Sequence, residues 1–529
     1  MARALFWLLT GLVTVSIIGS LLLAIFLPCF AQADSGPPPF WCDLFMAKYD
    51  SGGDSTWTAR EKEFHFFDGS PQDFLWETMR VHIALSGNGN ILLAGFNYDE
   101  SYSPGYSIFS FNQDGLLEWT AKKNQDPYSE YSGEGPTGMV IDNEGNAVVT
   151  GSLVSDSDSQ LKFVTMTYDE DGQQIWSTES GGSEETKYYA KSLAIDSAGN
   201  LIVLGEISRA DSNYQLTLVK IDANGNELWS ATYDEQNEYN GIAVNTAADQ
   251  DGNAIVVGNL NEKIVVVKYD PSGLQLWDAH YNEAVETPAV ARDMTVDANG
   301  NIIVVGTMGS YNPDYPGYSW ESSLTVKYEA NGIRLWDVVT PGPTGEGETA
   351  KSVAVDASAN IYVTGYAYRG ALCPIVTKKM GPVGIELWRQ ESSLYNEFDF
   401  DSWPTHKIIV DSEGNAYVAA ILIEDSTYEL ALIKYDSTGN EAWHSEFLPD
   451  TANDYYYCSG PDIALSSDGF AYLAGRECGT DPDYYDDDID DDGSGEGDDY
   501  DDDIDDDGSG ESDDGSGEGD DGHRIGCCG

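Results

Sequence analysis

Apolar and polar residues alternate with a period of two along most of the chain, and two short polar patterns interrupt that alternation in turn. A period of two places successive side chains on opposite faces of an extended strand, so the chain reads as a long series of short strands. Beyond the N-terminal apolar run, no stretch shows a long stripe of 3.6-residue period. The first pattern is an apolar alternation, then Asp-x-x-Gly-Asn, then a second alternation, as in "LAIDSAGNLIVLG" at 193–205 and "MTVDANGNIIVVG" at 294–306. Its glycine is Gly89, Gly145, Gly199, Gly252, Gly300, Gly414 and Gly469, with Ala359 the one substitute. The second pattern is an alternating strand followed by Asp-x-x-Gly-x-x-apolar-Trp, as in "LVKIDANGNELW" at 218–229 and "VVKYDPSGLQLW" at 266–277. Its tryptophans are Trp57, Trp119, Trp176, Trp229, Trp277, Trp336, Trp388 and Trp443, spaced 48 to 62 residues apart.

Each pattern predicts a hairpin. Asp accepts backbone hydrogen bonds as the turn opens, and Gly supplies the positive φ that lets two twisted strands fold back. One repeat is therefore four strands, and eight iterations predict an all-β fold, a β-propeller of eight four-stranded blades, with seven as the alternative count. The repeated Trp at the start of each outermost strand is expected to plug the space between neighbouring blades. The two ends of the array complete each other: residues 44–58 match only the second pattern and residues 463–475 only the first. Two C-terminal inner strands and two N-terminal outer strands should thus close the ring without a covalent join, leaving no open sheet edge.

The segments "VDASANIYVTGYA" and "TVKYEANGIRLW" resemble the bacterial β-propeller repeats known as SBBP, and the resemblance extends over roughly residues 44–475. It implies an exported propeller of unassigned biochemistry. Ala359, and Gly381 where the pattern has Asp, are departures that fall in one copy and point to a looser blade there.

Charge and the chain ends change this picture in two ways. With 91 acidic against 26 basic residues and a formal net charge of −65, the chain would repel a phosphate backbone, so no nucleic-acid partner is expected. Arg3, the apolar run Leu5 to Pro28 and Ala31-Gln32-Ala33 read as an export signal at 1–33 cleaved after Ala33, with an uncleaved signal-anchor as the competing reading. A short linker at 34–43, the propeller at 44–479 and an acidic tail at 480–529 follow, in a secreted or cell-surface monomer with no membrane span after cleavage. Export makes disulfides permissible. Cys478 is expected to follow the last inner strand, Cys42 to precede the first outer one and Cys458 to lie ahead of the same hairpin. A Cys42–Cys478 bridge would latch the closure, whereas Cys458–Cys478 would staple only a hairpin; spacing alone leaves the connectivity open.

No nucleophile elbow, phosphate loop or paired-His metal motif is present, and the six histidines are scattered through the repeat. Aligning the copies on the first Asp places Lys191, Arg292, Lys351 and His406 five residues upstream of it, where they would begin the innermost strands and ring one mouth of the channel. Such a basic ring could hold an acidic sugar or another carboxylate, unless Glu185, Glu286 and Glu348 in the same loops neutralise it. Aromatic loops at 101–107 and 310–320 could stack on sugar rings or anchor a protein.

From Asp481 to Gly522 there are 23 acidic residues and no basic one, too polar a composition to bury a core, so this tail is expected to be disordered. Asp488, Asp490, Asp492, Glu496 and Asp499, repeated as Asp503, Asp505, Asp507, Glu511 and Asp514, resemble calcium loops, with Gly495 and Gly510 where an apolar residue normally packs. Calcium is the one cofactor candidate, and anchoring through Cys527 or Cys528 a further option. Together these features predict a binding or surface-display module for an extracellular glycan or protein. A propeller enzyme, such as a quinone-dependent dehydrogenase or a polysaccharide-cleaving enzyme, is the alternative.

Overall fold

A computed structural model describes residues 40–480 apart from 67–79, 99–103, 125–134, 156, 183–185, 210–213, 234–240, 282–286, 312–318, 342–346, 370–371, 398–405, 425–426 and 448–456. The signal, the tail with its calcium-loop residues, and most of the two aromatic loops lie outside the described residues. Thirty-two strands, numbered β1 to β32 in chain order, form eight four-stranded antiparallel sheets among the described residues. The protein is a β-propeller, and the blade count is eight, not seven. Blade 1 runs from His82 to Asn124, and blades 2 to 7 follow in order, starting at Pro136, Thr186, Gly241, Ala289, Ser352 and His406. Blade 8 is composite, with sheet order β2 (Ser55–Phe66), β1 (Phe40–Tyr49), β32 (Ala471–Thr480), β31 (Tyr457–Leu465).

The turns explain why the two patterns repeat. In the Asp196 turn, the Asp196 N–H donates to Asn200 O at 2.8 Å and the Gly199 N–H to Asp196 O at 3.0 Å, a type I turn continued by a left-handed residue. Asp196 Oδ1 accepts the backbone N–H groups of Ala198 at 3.0 Å and Asn200 at 2.8 Å, while Asn200 Nδ2 donates back to Oδ2 at 2.9 Å. The same side-chain pair recurs in the Asp142, Asp249, Asp297, Asp356 and Asp411 turns, which accounts for the Asn after the glycine. Ala359 holds the glycine position at φ 59 and keeps the turn bond to Asp356 O at 2.9 Å. Gly381 keeps both backbone bonds of its turn, so the two departures leave the sixth blade's turns intact.

The apolar core is divided among the eight blade junctions. Ile255, Val257, Ile264 and Val266 of blade 4 pack on Met294, Ile302, Val304 and Val326 of blade 5, and equivalent clusters fill each other junction, including those of blade 8 with blades 7 and 1. Every second-pattern Trp spans a junction. Trp57 donates its indole N–H to Gln113 O, Trp119 to Glu170 O, Trp176 to Ala223 O, Trp229 to Pro271 O, Trp277 to Ala330 O, Trp336 to Pro382 O, Trp388 to Ser437 O and Trp443 to Ser51 O, at 2.7–3.3 Å. Each acceptor is a turn carbonyl of the next blade, and the last bond, from blade 7 to the N-terminal hairpin, closes the circle.

The closure places the cysteines differently from their expected positions at strand ends. β1 begins at Phe40, inside the expected linker, and Cys42 and Cys478 lie within β1 and β32 as direct Cα partners. Cys458 lies within β31 and pairs with Glu477, one register step from Cys478. Sequence spacing could not reveal how far the terminal strands extend beyond the repeat.

Candidate functional site

The innermost strands carry a β-bulge at one repeated position. The register steps from Ala190 to Ser192 in blade 3, from Ala243 to Asn245 in blade 4 and from Ala291 to Asp293 in blade 5, so that Lys191 and Arg292 are the extra residues of two of these bulges. A bulge re-aims its side chain and interrupts the ladder, which keeps these residues out of the blade-to-blade packing. Lys191 is half-buried with Nζ 6.0 Å from the Tyr189 ring centroid, and Arg292 is exposed. Lys351, ahead of the first strand of blade 6, has its Nζ 5.2 Å from the Tyr366 ring centroid.

His406 behaves differently from these three. It is 7% exposed, and neither ring nitrogen has a hydrogen-bond partner among the described residues. Its ring meets Tyr366 edge-on at 6.0 Å, and the Tyr366 and Tyr368 hydroxyls lie 3.2 Å apart. Burial, helped by the Lys351 charge, pushes its pKa down to about 3, so it adds no cation to the ring at neutral pH. The structure therefore brings Lys351 and His406 together around Tyr366, while Lys191 and Arg292 occupy separate blades. Glu348 does not neutralise Lys351. It is buried in a different ion cluster, accepting from Lys378 at 3.2 Å and Arg389 at 2.6 Å. Glu185 and Glu286 lie outside the described residues.

One residue nearer the turn, a second ring was missed. His82, Gly138, Ser192, Asn245, Asp293, Ser352, Lys407 and Asp462 occupy the same register position in the eight blades. Ser192 Oγ donates to Asn245 Oδ1 at 2.7 Å, Asn245 Nδ2 to Asp293 Oδ1 at 2.8 Å, and Ser352 Oγ to Asp293 Oδ2 at 2.9 Å. The chain of bonds continues through the Ile408 N–H, which donates to Ser352 Oγ at 3.3 Å. Across the closure, Asp462 Oδ2 accepts the Ile83 N–H at 3.1 Å, and His82 Nε2–H donates to Pro136 O at 3.2 Å. A polar belt thus ties inner strands of successive blades together. Its signal was available in the aligned copies: this column is polar or glycine in every blade.

Cys373 is buried, and burial lifts its thiol to about 11, which leaves it unreactive. Among the described residues there is no cluster of three or more His, Cys, Asp or Glu side chains able to hold a metal ion. No helix among them is long and apolar enough to cross a membrane.

The profile of the family described as outer membrane protein assembly factor BamB matches residues 108–312, from the end of blade 1 into blade 5. The chain is BamB-like over that stretch. No curated protein matches the sequence. Similar solved structures include the polysaccharide lyase Uly1, at 9% identity and TM-score 0.41, covering 78% of this chain and 92% of that one. A Lactobacillus plantarum protein follows at 12% identity and TM-score 0.43, with 68% and 96% covered. The Pseudomonas brassicacearum lignostilbene dioxygenase has 10% identity and TM-score 0.39, with 70% and 92% covered. Likenesses this distant carry no functional argument.

Proposed function

We propose that the protein is an exported binding propeller that holds an anionic ligand, an acidic sugar or other carboxylate, at the inner-strand ring formed by Lys191, Arg292, Lys351 and His406. The observation that carries this reading is His406. A buried imidazole with two unpaired nitrogens is costly unless something bonds it, and Lys351 beside it favours an acceptor of negative charge. Repeat physics supports the same place: turns, tryptophans and junction cores recur from blade to blade because the frame needs them, whereas this column varies. Val81, Thr137, Val244 and Pro461 fill it in the other four blades, so the frame does not require a cation there.

The apolar run at Leu5 to Pro28 supports export, and the acidic tail would act as a charged spacer that binds calcium loosely. A glycan array tests the ligand reading. Acidic oligosaccharides should bind the wild-type protein, and changing Lys191, Arg292 and Lys351 together to Ala should weaken that binding at least tenfold, with His406→Gln giving a smaller loss. Undiminished binding by the triple variant would remove the site.

A further inference from the structure

The second-pattern turns leave leucine or isoleucine side chains in solvent in blades 1 to 6, with Leu116 and Leu117 adjacent in blade 1 and Ile175 and Leu228 single in blades 2 and 3, and blades 4 to 6 each expose a spaced pair. Leu274 and Leu276 of blade 4 are 64% and 48% exposed, Ile333 and Leu335 of blade 5 are 61% and 44%, and Ile385 and Leu387 of blade 6 are 65% and 56%. Within each blade the two flank one polar residue: the first ends the turn, and the second is the extra residue of a β-bulge at the start of the outermost strand, where the side chain is turned out of the ladder. Three consecutive blades thus each present such a pair at the start of the outermost strand.

The fold does not need them. In blade 8 the same two positions are Asp54 and Thr56, and in blade 7 they are Asn440 and Ala442, yet those turns form the same hydrogen bonds and seat the same Trp. Six large apolar side chains held in water where polar or small ones serve equally well mark an interaction surface, not a packing requirement.

We propose that the outer rim of blades 4 to 6 docks a segment of another protein that presents apolar residues interleaved with lysine or arginine. Charge selects this occupant. Asp270, Glu329 and Glu386 border the leucine pairs, with Arg334 the basic residue among them, and the whole chain carries −65, which opposes pairing with a second copy. The outermost strands, Gln275–Tyr281, Arg334–Thr340 and Glu386–Glu397, also have one hydrogen-bonding edge that no strand of their sheet covers, the feature used when an extended peptide adds to a sheet.

The probe is a fluorescent eight-residue peptide of alternating Leu and Lys, titrated against the full chain by anisotropy at low and physiological salt. The comparison variant carries Leu276→Thr, Leu335→Thr and Leu387→Thr, the residue that blade 8 uses at that site, so that folding is preserved. Wild type should bind the peptide at least tenfold more tightly than the variant and should ignore the alternating Leu-Glu analogue. Equal binding by wild type and variant, equal binding of the acidic peptide, or a wild-type dimer in sedimentation that the variant abolishes would each overturn the proposal.

Discussion

At the scale of single residues, two glycine columns look alike in sequence but carry different loads. Gly273 sits at φ 89, and a Cβ there would lie 2.8 Å from the indole carbons of Trp229, so the residue is held both by backbone geometry and by the ring stacked on it. Gly145 has φ 93 but nothing within 4 Å of its missing Cβ, so geometry alone holds it. Gly145→Ala should therefore cost only the left-handed strain, ~1–2 kcal/mol, while Gly273→Ala should cost clearly more, because a ring that bridges two blades must move. Ala359 supplies the reverse experiment. It already bears the strain at φ 59, so Ala359→Gly should leave stability unchanged or raise it by up to ~1 kcal/mol. Chemical denaturation of the three variants, compared at constant m, checks all three values.

Strands, turns and tryptophan locks were legible in the sequence because each is dictated by local chemistry that recurs: a carboxylate that caps a turn, a glycine that turns it, an indole two strands away. The polar belt through Ser192, Asn245 and Asp293 was harder to see, because its bonds run between blades some fifty residues apart and a different side chain makes each one. Alignment gives His406 its place in the repeat but not its burial, which is set by neighbours such as Tyr366 that no local pattern reveals. The closing blade shows the same limit at the level of register. Direct Cα partners in an antiparallel pair stand ~4.5–5.5 Å apart, within the range a disulfide needs, and Cys42 and Cys478 are such partners. Peptide mapping of the oxidised, non-reduced protein should find Cys42 joined to Cys478 and not to Cys458. On the chain-entropy model Cys478→Ser should then lower stability by up to ~6 kcal/mol, since the bridge closes nearly the whole propeller into a loop. Recovery of unlinked Cys42 from oxidised protein would refute the latch.

For the whole molecule, the closed ring decides how stability answers to acid. His82 and His406 lie on the inner strands of blades 1 and 7, flanking the composite blade, and both are held near pKa 3, chiefly by burial, with the charges of Lys407 and Arg80 acting on His82 and of Lys351 on His406. The unfolded chain takes up these two protons near pH 6.5, while the folded ring refuses them until about 3. Their contribution is therefore complete above pH 6.5 and is lost progressively as the pH falls through that window, by ~1.4 kcal/mol per pH unit for each histidine. The turn carboxylates Asp196, Asp249 and Asp297 act lower down. Burial raises them, but Lys220, Lys268 and Lys327 at 2.8–2.9 Å and the turn asparagines outweigh it, so their support fades only below the ordinary Asp value near 3.8. Asp462, raised by burial, is protonated early in the folded state and works in the opposite sense. Between pH 5 and 6.5 the histidines should dominate, so the thermal midpoint should fall with acid in that interval for wild type and should not fall for the His82→Gln, His406→Gln double variant, in which Asp462 acts the other way. A slope that persists unchanged in the double variant would mean that acid acts elsewhere than on the inner strands beside the closing blade.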